Sequence, residues 1–291
     1  MKVLNYGSLN YDYVYSVDHM VVAGETLSSG DMATFCGGKG MNQSIALAKA
    51  GVPVYHAGMV GEEGRMLLDE CEKNGVNTEF IKTIPGKSGH TIIQVDKNGQ
   101  NCILLFGGAN RAQTKEHMDE VLSHFEAGDM LLLQNEVNDV DYLIEQAYAK
   151  GMQIALNPSP FDEKLDKCDM TKISLFFINE IEGAQITGEK EPEAILDKCR
   201  EIYPHAKAVL TMGGDGCIYQ DGEKRVSQPI FKVEVVDTTA AGDTFTGYFI
   251  SSMLEELPVE TGLKRAAKAS SIAVSRAGAT ASIPLKEEVQ I

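Results

Sequence analysis

Asp243 closes the short stretch Ala240-Ala241-Gly242-Asp243, inside the longer run DTTAAGDTFTG from Asp237 to Gly247. A β-like stretch, Phe231–Val236, leads into it, and an apolar helical pattern follows, with Phe245, Phe249 and Met253 on one face. A turn of small residues into a helix leaves N–H groups without partners beside the positive end of the helix dipole. Glycine lets an anion come close to that backbone. A carboxylate beside such a site is electrostatically costly unless it serves a reaction, and taking a proton from an attacking hydroxyl is such a service. Asp243 also reads as an ordinary acid of a helix's first turn. The segment alone supports both readings.

Four other segments carry residues with chemical potential. CGGKGMN, from Cys36 to Asn42, opens a helix expected over Met41–Ala50. Lys39 is followed by Gly40 rather than Ser or Thr, so this is not a P-loop. Gly38, Lys39 and Asn42 can hold a small polar ligand against the backbone, or form a plain glycine-rich turn. TMGGDG, from Thr211 to Gly216, follows the strand-like Ala208–Leu210 at the end where open α/β sheets bind ligands. Cys217–Gln220 is itself β-like, so the same loop reads as a hairpin turn. Asn179-Glu180-Ile181-Glu182 follows the apolar Leu175–Ile178; its carboxylates can hold Mg²⁺ partly through water, or be acids at a helix start. Asn10 and Asp12 are two residues apart, hence on one face, and can hydrogen-bond adjacent hydroxyls of a sugar. All five segments lie at strand ends or strand-to-helix turns, where one cleft can gather them.

The elements that would position them alternate in type. Strands are expected at Val3–Ser8, Val54–Val60, Met130–Gln134, Gln153–Asn157, Leu175–Asn179 and Ala208–Met212. Helices are expected at Met41–Ala50, Gly64–Asn74, Lys115–His124, Val140–Lys150, Pro192–Tyr203 and Asp243–Glu256, several ending at a glycine (Gly51, Gly75, Gly151) suited to a left-handed cap. This alternation predicts parallel strands joined by crossover helices. Two stretches break the rhythm. Residues 12–35 are β-like without a helix, and 89–106 alternate on either side of Lys97-Asn98-Gly99, a hairpin signal. They predict a small β-sheet built from two insertions, which is either a lid over the site or a decorative edge.

The 291 residues suit one α/β domain, numbered 1–291, with that small sheet as an accessory. The formal net charge of −16 argues against nucleic acid and anionic membranes as partners. An acidic chain that binds a polyanion must do so locally, through N–H groups, a few basic side chains and a divalent cation. The cysteines form no C-x-x-C pair and suit reduced thiols. With no leader-like or membrane-spanning run, a cytoplasmic protein is expected.

These motifs together resemble the ribokinase-like (PfkB) carbohydrate kinases over essentially the full chain. GGKGMNQSIALAKAG (Gly37–Gly51) looks like the family's N-terminal signature, and DTTAAGDTFTG (Asp237–Gly247) like its C-terminal one. GSLNYD (Gly7–Asp12), AGET (Ala23–Thr26), GGAN (Gly107–Asn110), LLLQNE ending at Glu136, ALNPSP (Ala155–Pro160), INEIE and AVSRAGATASIP (Ala273–Pro284) place the likeness nearest the ribokinase branch.

The resemblance implies a three-layer α/β/α fold with a mostly parallel sheet and a β-sheet lid. It implies ATP-dependent transfer of the γ-phosphate to a primary hydroxyl of a small sugar, the 5-OH of D-ribose first, with Asp243 as base. Ala240, Ala241 and Gly242 would form the anion hole. Asn10, Asp12, Gly38, Lys39, Asn42, Glu136 and Asp243 would hold the sugar. Asn179, Thr211, Gly213, Gly216, Gly242 and Ala267 would contact the nucleotide. Glu182 would support Mg²⁺ through water, and Asp237, Thr239, Ala273, Arg276, Gly278 and Ser282 would surround a monovalent cation, K⁺. A homodimer paired through the lid is expected. Tyr11, Tyr13 and Tyr15 crowd the sugar strand with aromatics, and Asp215 adds a negative charge to the nucleotide loop; both depart from the family's pattern. The competing readings are a kinase for fructose, another pentose or an adenosine-type nucleoside, an inactive sugar-sensing binding module, and a dinucleotide-dependent oxidoreductase. The last lacks a G-x-G-x-x-G turn after the first strand.

Overall fold

A computed structural model describes residues 1–291. The strands are β1 (Val3–Tyr6), β2 (Asn10–Ser16), β3 (Asp31–Gly37), β4 (Val54–Val60), β5 (Asn77–Thr83), β6 (Gly89–Val95), β7 (Asn101–Phe106), β8 (Met130–Gln134), β9 (Gln153–Asn157), β10 (Leu175–Asn179), β11 (Lys207–Thr211), β12 (Cys217–Gln220) and β13 (Arg225–Gln228). The helices are α1 (Lys39–Lys49), α2 (Arg65–Lys73), α3 (Lys115–Ser123), α4 (Val140–Ala149), α5 (Glu180–Thr187), α6 (Pro192–Ile202), α7 (Ala241–Leu254) and α8 (Val259–Val274).

Nine strands form the main sheet in the order β13-β12-β11-β10-β9-β8-β1-β4-β5. From β5 to β11 all pairs are parallel; β12 and β13 extend that edge as an antiparallel hairpin. The strands are apolar at successive residues because both faces are covered. Along β8, Met130 and Leu132 face one core with α1, α2, α7 and α8, while Leu131 and Leu133 face the other with α3, α4 and α6. Each fully buried Leu or Phe there contributes about 1.5–3 kcal/mol of hydrophobic stabilisation. The fold is therefore α/β in three layers.

The two stretches that break the alternation pair with each other. They make a four-stranded sheet, β3-β2-β6-β7, in which β2 and β6 run parallel and the outer pairs antiparallel. The Asn98-Gly99 turn joins β6 to β7.

Several expectations need correction. Phe231–Val236 forms no strand; Val233, Val235 and Val236 are exposed, and the N–H groups of Val236 and Asp237 go to the Val274 carbonyl at the end of α8, at 2.8 and 3.2 Å, rather than to a strand. Helix α8 and strands β5 and β13 lie outside the expected elements, while α5 begins where the helix-start reading of Asn179–Glu182 has it. α7 begins at Ala241, so Asp243 is its third residue rather than its first. Tyr11, Tyr13 and Tyr15 alternate with Asn10, Asp12 and Val14, so they occupy the opposite face of β2; Tyr11 stacks on Tyr13, and Tyr13 meets His90 edge-on.

Candidate active site

A cavity of about 1030 Å³ opens between the C-terminal ends of the parallel strands and one face of the small sheet. Asn10, Asp12, Gly38, Lys39, Asn42 and Glu136 line it at the small-sheet end. Asn179, Glu182, Thr211 and Gly213 line it at the ends of β10 and β11. Asp237, Thr239, Ala240, Ala241, Gly242, Asp243 and Gly278 complete the wall. Five sequence-derived candidates stand outside the lining. Gly216 packs at the β11–β12 turn, where a Cβ would meet the Gln228 carbonyl at 2.3 Å. Ala267 lies on α8 against the core, and Ala273 and Ser282 are fully buried. Arg276 turns its guanidinium to Glu288 at 2.6 Å. Asp215 is exposed and also outside the lining.

Asp243 sits where α1 and α7 run close together. Gly247, one turn on, faces Ala46 so tightly that a Cβ would lie 2.5–2.7 Å from it. That contact brings the preceding turns together. Asn42 Nδ2 donates to Asp243 Oδ2 at 3.1 Å and Gln43 Nε2 donates to Oδ1 at 2.9 Å. Asp243 caps none of its own helix's N–H groups. Asp243 is thus an acid of the helix's first turn, as one of its two readings has it, with its carboxylate held across to α1 and lining the cavity.

Ala240 adopts a left-handed conformation, φ 60°, and starts the helix. Ala241 N–H reaches Thr238 O at 3.3 Å and Thr244 N–H reaches Ala240 O at 2.8 Å, but the N–H groups of Gly242 and Asp243 meet no acceptor in the chain. A Cβ built on Gly242 meets nothing within 4 Å. The fold does not require glycine there. Its value lies in leaving the two free donors open to whatever enters the cavity, with the helix dipole behind them.

The other glycine-rich helix start differs. Lys39 N–H donates to Glu136 Oε2 at 2.9 Å, Gly40 N–H to Ser8 Oγ at 3.2 Å, Met41 N–H to Ser8 O and Asn42 N–H to Gly38 O, both at 2.9 Å. Every donor of the first turn is taken. Gly40 is demanded by packing, since a Cβ would meet Ser8 N at 2.3 Å. Gly38 combines φ 93° with close neighbours in Ser8 and Asn10.

Ionisable groups crowd the small-sheet end. Burial pushes the Asp12 carboxyl upward, opposed by the Thr91 hydroxyl that donates to it at 2.5 Å and reinforced by the Glu136 charge. Burial also raises Glu136, against Lys39 and the Ser8 hydroxyl that donates to it. For Lys39 burial acts to lower the ammonium, but the charges of Asp243, Glu136 and Glu182 outweigh it and hold it above its ordinary value. Asn42 Oδ1 and Asn157 Oδ1 are buried acceptors without partners, and both residues line the cavity. Such acceptors suit a ligand rich in hydroxyls.

At the end formed by β10 and β11, Asn179 and Glu182 form a capping box on α5, with N–H to carboxylate at 3.1 Å and N–H to amide oxygen at 2.9 Å. The helix-acid reading of this segment therefore holds for Glu182, yet its carboxylate still faces the cavity. No group of three or more His, Cys, Asp or Glu is placed to cage a metal. Asp237 accepts from Thr239 N–H at 2.9 Å and Gly278 N–H at 3.0 Å, tying the loop before α7 to the loop after α8. Burial raises its carboxyl, but the Thr239 and Gly278 hydrogen bonds hold it below its ordinary value.

Residues absent from the sequence reading as site residues support those above. Gln43 is the second donor to Asp243. Asn110 donates to Asn10 Oδ1 at 2.7 Å while accepting from Leu9 N–H, which turns the Asn10 nitrogen to the cavity. Asn110 and Asn157 were visible only as parts of quoted motifs. Gln43 carried the nearest signal, being adjacent to Asn42.

Comparison with known proteins accords with this arrangement. Residues 1–286 match the family model described as pfkB family carbohydrate kinase. The ribokinase of Bacillus subtilis (strain 168) is 33% identical over 288 residues, covering 98% of this chain and 96% of that protein. A deoxyribokinase of Salmonella typhi is 30% identical over 308 residues, covering 99% and 97%. The structure of Arabidopsis thaliana ribokinase complexed with ribose and ATP superposes with a TM-score of 0.88 at 28% identity, covering 99% of this chain and 97% of that one. The chain belongs to the pfkB family of carbohydrate kinases, as a phosphotransferase with an alcohol group as acceptor.

Proposed function

We propose that this sugar kinase transfers the γ-phosphoryl group of ATP to the 5-OH of D-ribose. The observation that carries the reading is the juxtaposition at the start of α7: a carboxylate held by two amides, one residue from free backbone donors, in a single cavity. A deoxyribokinase among the relatives and the ribose and ATP in the Arabidopsis structure support a pentose as acceptor.

Asn10, Asp12, Lys39, Asn42 and Glu136 would bind and orient the sugar, its hydroxyls donating to the unpartnered Asn42 Oδ1 and to the carboxylates. Asp243 takes the hydroxyl proton as the new O–P bond forms and the bond to the ADP oxygen breaks. The N–H groups of Gly242 and Asp243 and the α7 dipole stabilise charge on the transferred group. The small sheet acts as a lid: Ile93, Val95, Ile103 and Leu105 on its inner face exclude water, which would compete as acceptor.

The end holding Asn179, Thr211 and Gly213 would take the nucleotide. Carboxylates dominate the cavity's charge, so a polyphosphate needs a cation there. Glu182 is one carboxylate without a cage, which fits Mg²⁺ shared with phosphates and water. When bound, Mg²⁺ neutralises charge on the phosphoryl oxygens. The loops tied by Asp237 would seat a monovalent cation on carbonyls of Thr239, Ala273, Arg276, Gly278 and Ser282; Arg276 could serve only through its backbone, its side chain being paired with Glu288. Ile92, Leu104 and Phe106 are exposed on the outer face of the lid and suit pairing with a second copy. All six cysteines are unpaired and no helix is long and apolar enough to cross a membrane, which fits a cytoplasmic enzyme.

The test is ADP release with D-ribose, 2-deoxy-D-ribose, D-fructose and adenosine, with and without K⁺. The highest kcat/KM is expected with D-ribose, reduced when K⁺ is withheld. A higher value with another acceptor would reassign the substrate, and no release with any would make the chain a binding module.

A further inference from the structure

A chain of buried amides reaches from Asp243 into the sheet. Gln43 Nε2 donates to Asp243 Oδ1 at 2.9 Å, and Gln43 Oε1 accepts from Gln134 Nε2 at 2.6 Å. The second hydrogen of Gln134 Nε2 goes to Asn5 Oδ1 at 3.0 Å. Asn5 Nδ2 donates to Gly40 O at 2.7 Å and to Ser44 Oγ at 2.8 Å. Gln43, Gln134, Asn5 and Ser44 all have no solvent exposure. Asn5 lies on β1 and Gln134 on β8, adjacent interior strands of the main sheet, so the chain ties α1 and the start of α7 to the sheet's buried interior.

Its polarity is set at both ends. A carboxylate only accepts, so Gln43 must give Asp243 its nitrogen and turn its oxygen to Gln134. The Gly40 carbonyl only accepts, so Asn5 must give it nitrogen and also turn oxygen to Gln134. Between two acceptors only a group with two hydrogens fits, and the Gln134 amide nitrogen supplies both. The cost appears on the other side of that amide: Gln134 Oε1 is buried without a partner, against Gly7, where a Cβ would lie 2.4 Å away.

Resting on the reading of Asp243 as the base, we infer that Gln43 and Gln134 are positioning residues that lock the Asp243 carboxylate in its reactive orientation. Gln43 engages Oδ1 and Asn42 engages Oδ2, which leaves each oxygen a further lone pair for the acceptor hydroxyl. Neither glutamine lines the cavity, so neither touches substrate.

Steady-state kinetics on Gln43→Met, Gln134→Met, Gln134→Glu and Asp243→Asn test this, with thermal unfolding of each. Gln43→Met should lower kcat roughly 10- to 100-fold, with KM for the sugar within about threefold of wild type, because a misaligned base affects the chemical step and not binding. Gln134→Glu, nearly isosteric, should be worse than Gln134→Met, because it places an acceptor against two acceptors; a space-filling role predicts the reverse order. If Gln134→Glu fails to fold, the two methionine variants decide. A folded Gln43→Met with kcat near wild type, or one that raises KM alone, overturns the inference while Asp243→Asn stays inactive. An active Asp243→Asn would instead overturn the assignment of the base.

Discussion

The helix starts of α1 and α7 are built from similar sequence, GGKGMN and AAGDTF, and they face the same cavity, but they are finished in opposite ways. At α1 every first-turn donor is consumed by Glu136, Ser8 and Gly38. At α7 the donors of Gly242 and Asp243 are left open. The glycines divide the same way. Gly40 lets the chain at Gly7 and Ser8 pass against the helix, whereas Gly242 touches nothing. A glycine-rich helix start keeps donors available to an anion only when the surrounding fold leaves them unsatisfied. The first start is an anchor that places Lys39, Asn42 and Gln43; the second keeps its donors open, and there we place the transferred group.

The sharpest way to break this contrast is to make one substitution in both places. Gly40→Ala drives a Cβ into backbone at 2.3–2.7 Å and should destabilise the protein by about 3 kcal/mol or prevent folding, read by urea denaturation. Gly242→Ala should leave the unfolding midpoint unchanged or slightly raised, because the site is helical and open, while kcat falls by roughly 10²-fold as the methyl group blocks the donors. If both variants lost stability, or both only activity, the two starts would not differ in kind.

A smaller effect probes the anchor side. His56 is fully buried, with Nδ1 facing Ser44 at 2.8 Å and Nε2 facing the Gly7 carbonyl at 3.3 Å, and burial lowers it to about 4. The unfolded chain binds a proton near pH 6.5 that the folded one refuses until about pH 4, so stability is complete above pH 6.5 and declines as pH falls towards 4. Between pH 7.5 and 5 this amounts to about 2 kcal/mol. His56→Gln should flatten that part of the stability profile; an unchanged slope would mean that other groups govern it.

Much of the frame was legible because parallel strands and crossover helices leave strong patterns, and Asn98-Gly99 announced the hairpin. Four of the five motif segments follow a strand, and the fold brings those ends together; the fifth, Asp237–Gly247, follows an irregular segment and reaches the same cavity through the start of α7. The partners were not. Gln134 reads only as the last residue of an apolar strand, and its role depends on β8 lying beside β1, 129 residues away in sequence. Phe231–Val236 misled for a related reason: its composition suits a strand, but the chain there ties back to the Val274 carbonyl at the end of α8 instead of joining a sheet. Ala267, Ala273 and Ser282 were carried over by position, and the fold buries them behind the wall that their neighbours line.

The central claim is that Asp243 removes the proton from the acceptor hydroxyl. Its most direct test is Asp243→Asn, with single-turnover phosphoryl transfer and sugar affinity measured on the same preparation. The substitution keeps the shape, keeps one of the two amide hydrogen bonds and cannot take a proton, so the rate should fall by at least ~10²-fold while ribose binds with near-normal affinity. A variant that transfers phosphate at close to the wild-type rate would contradict the account.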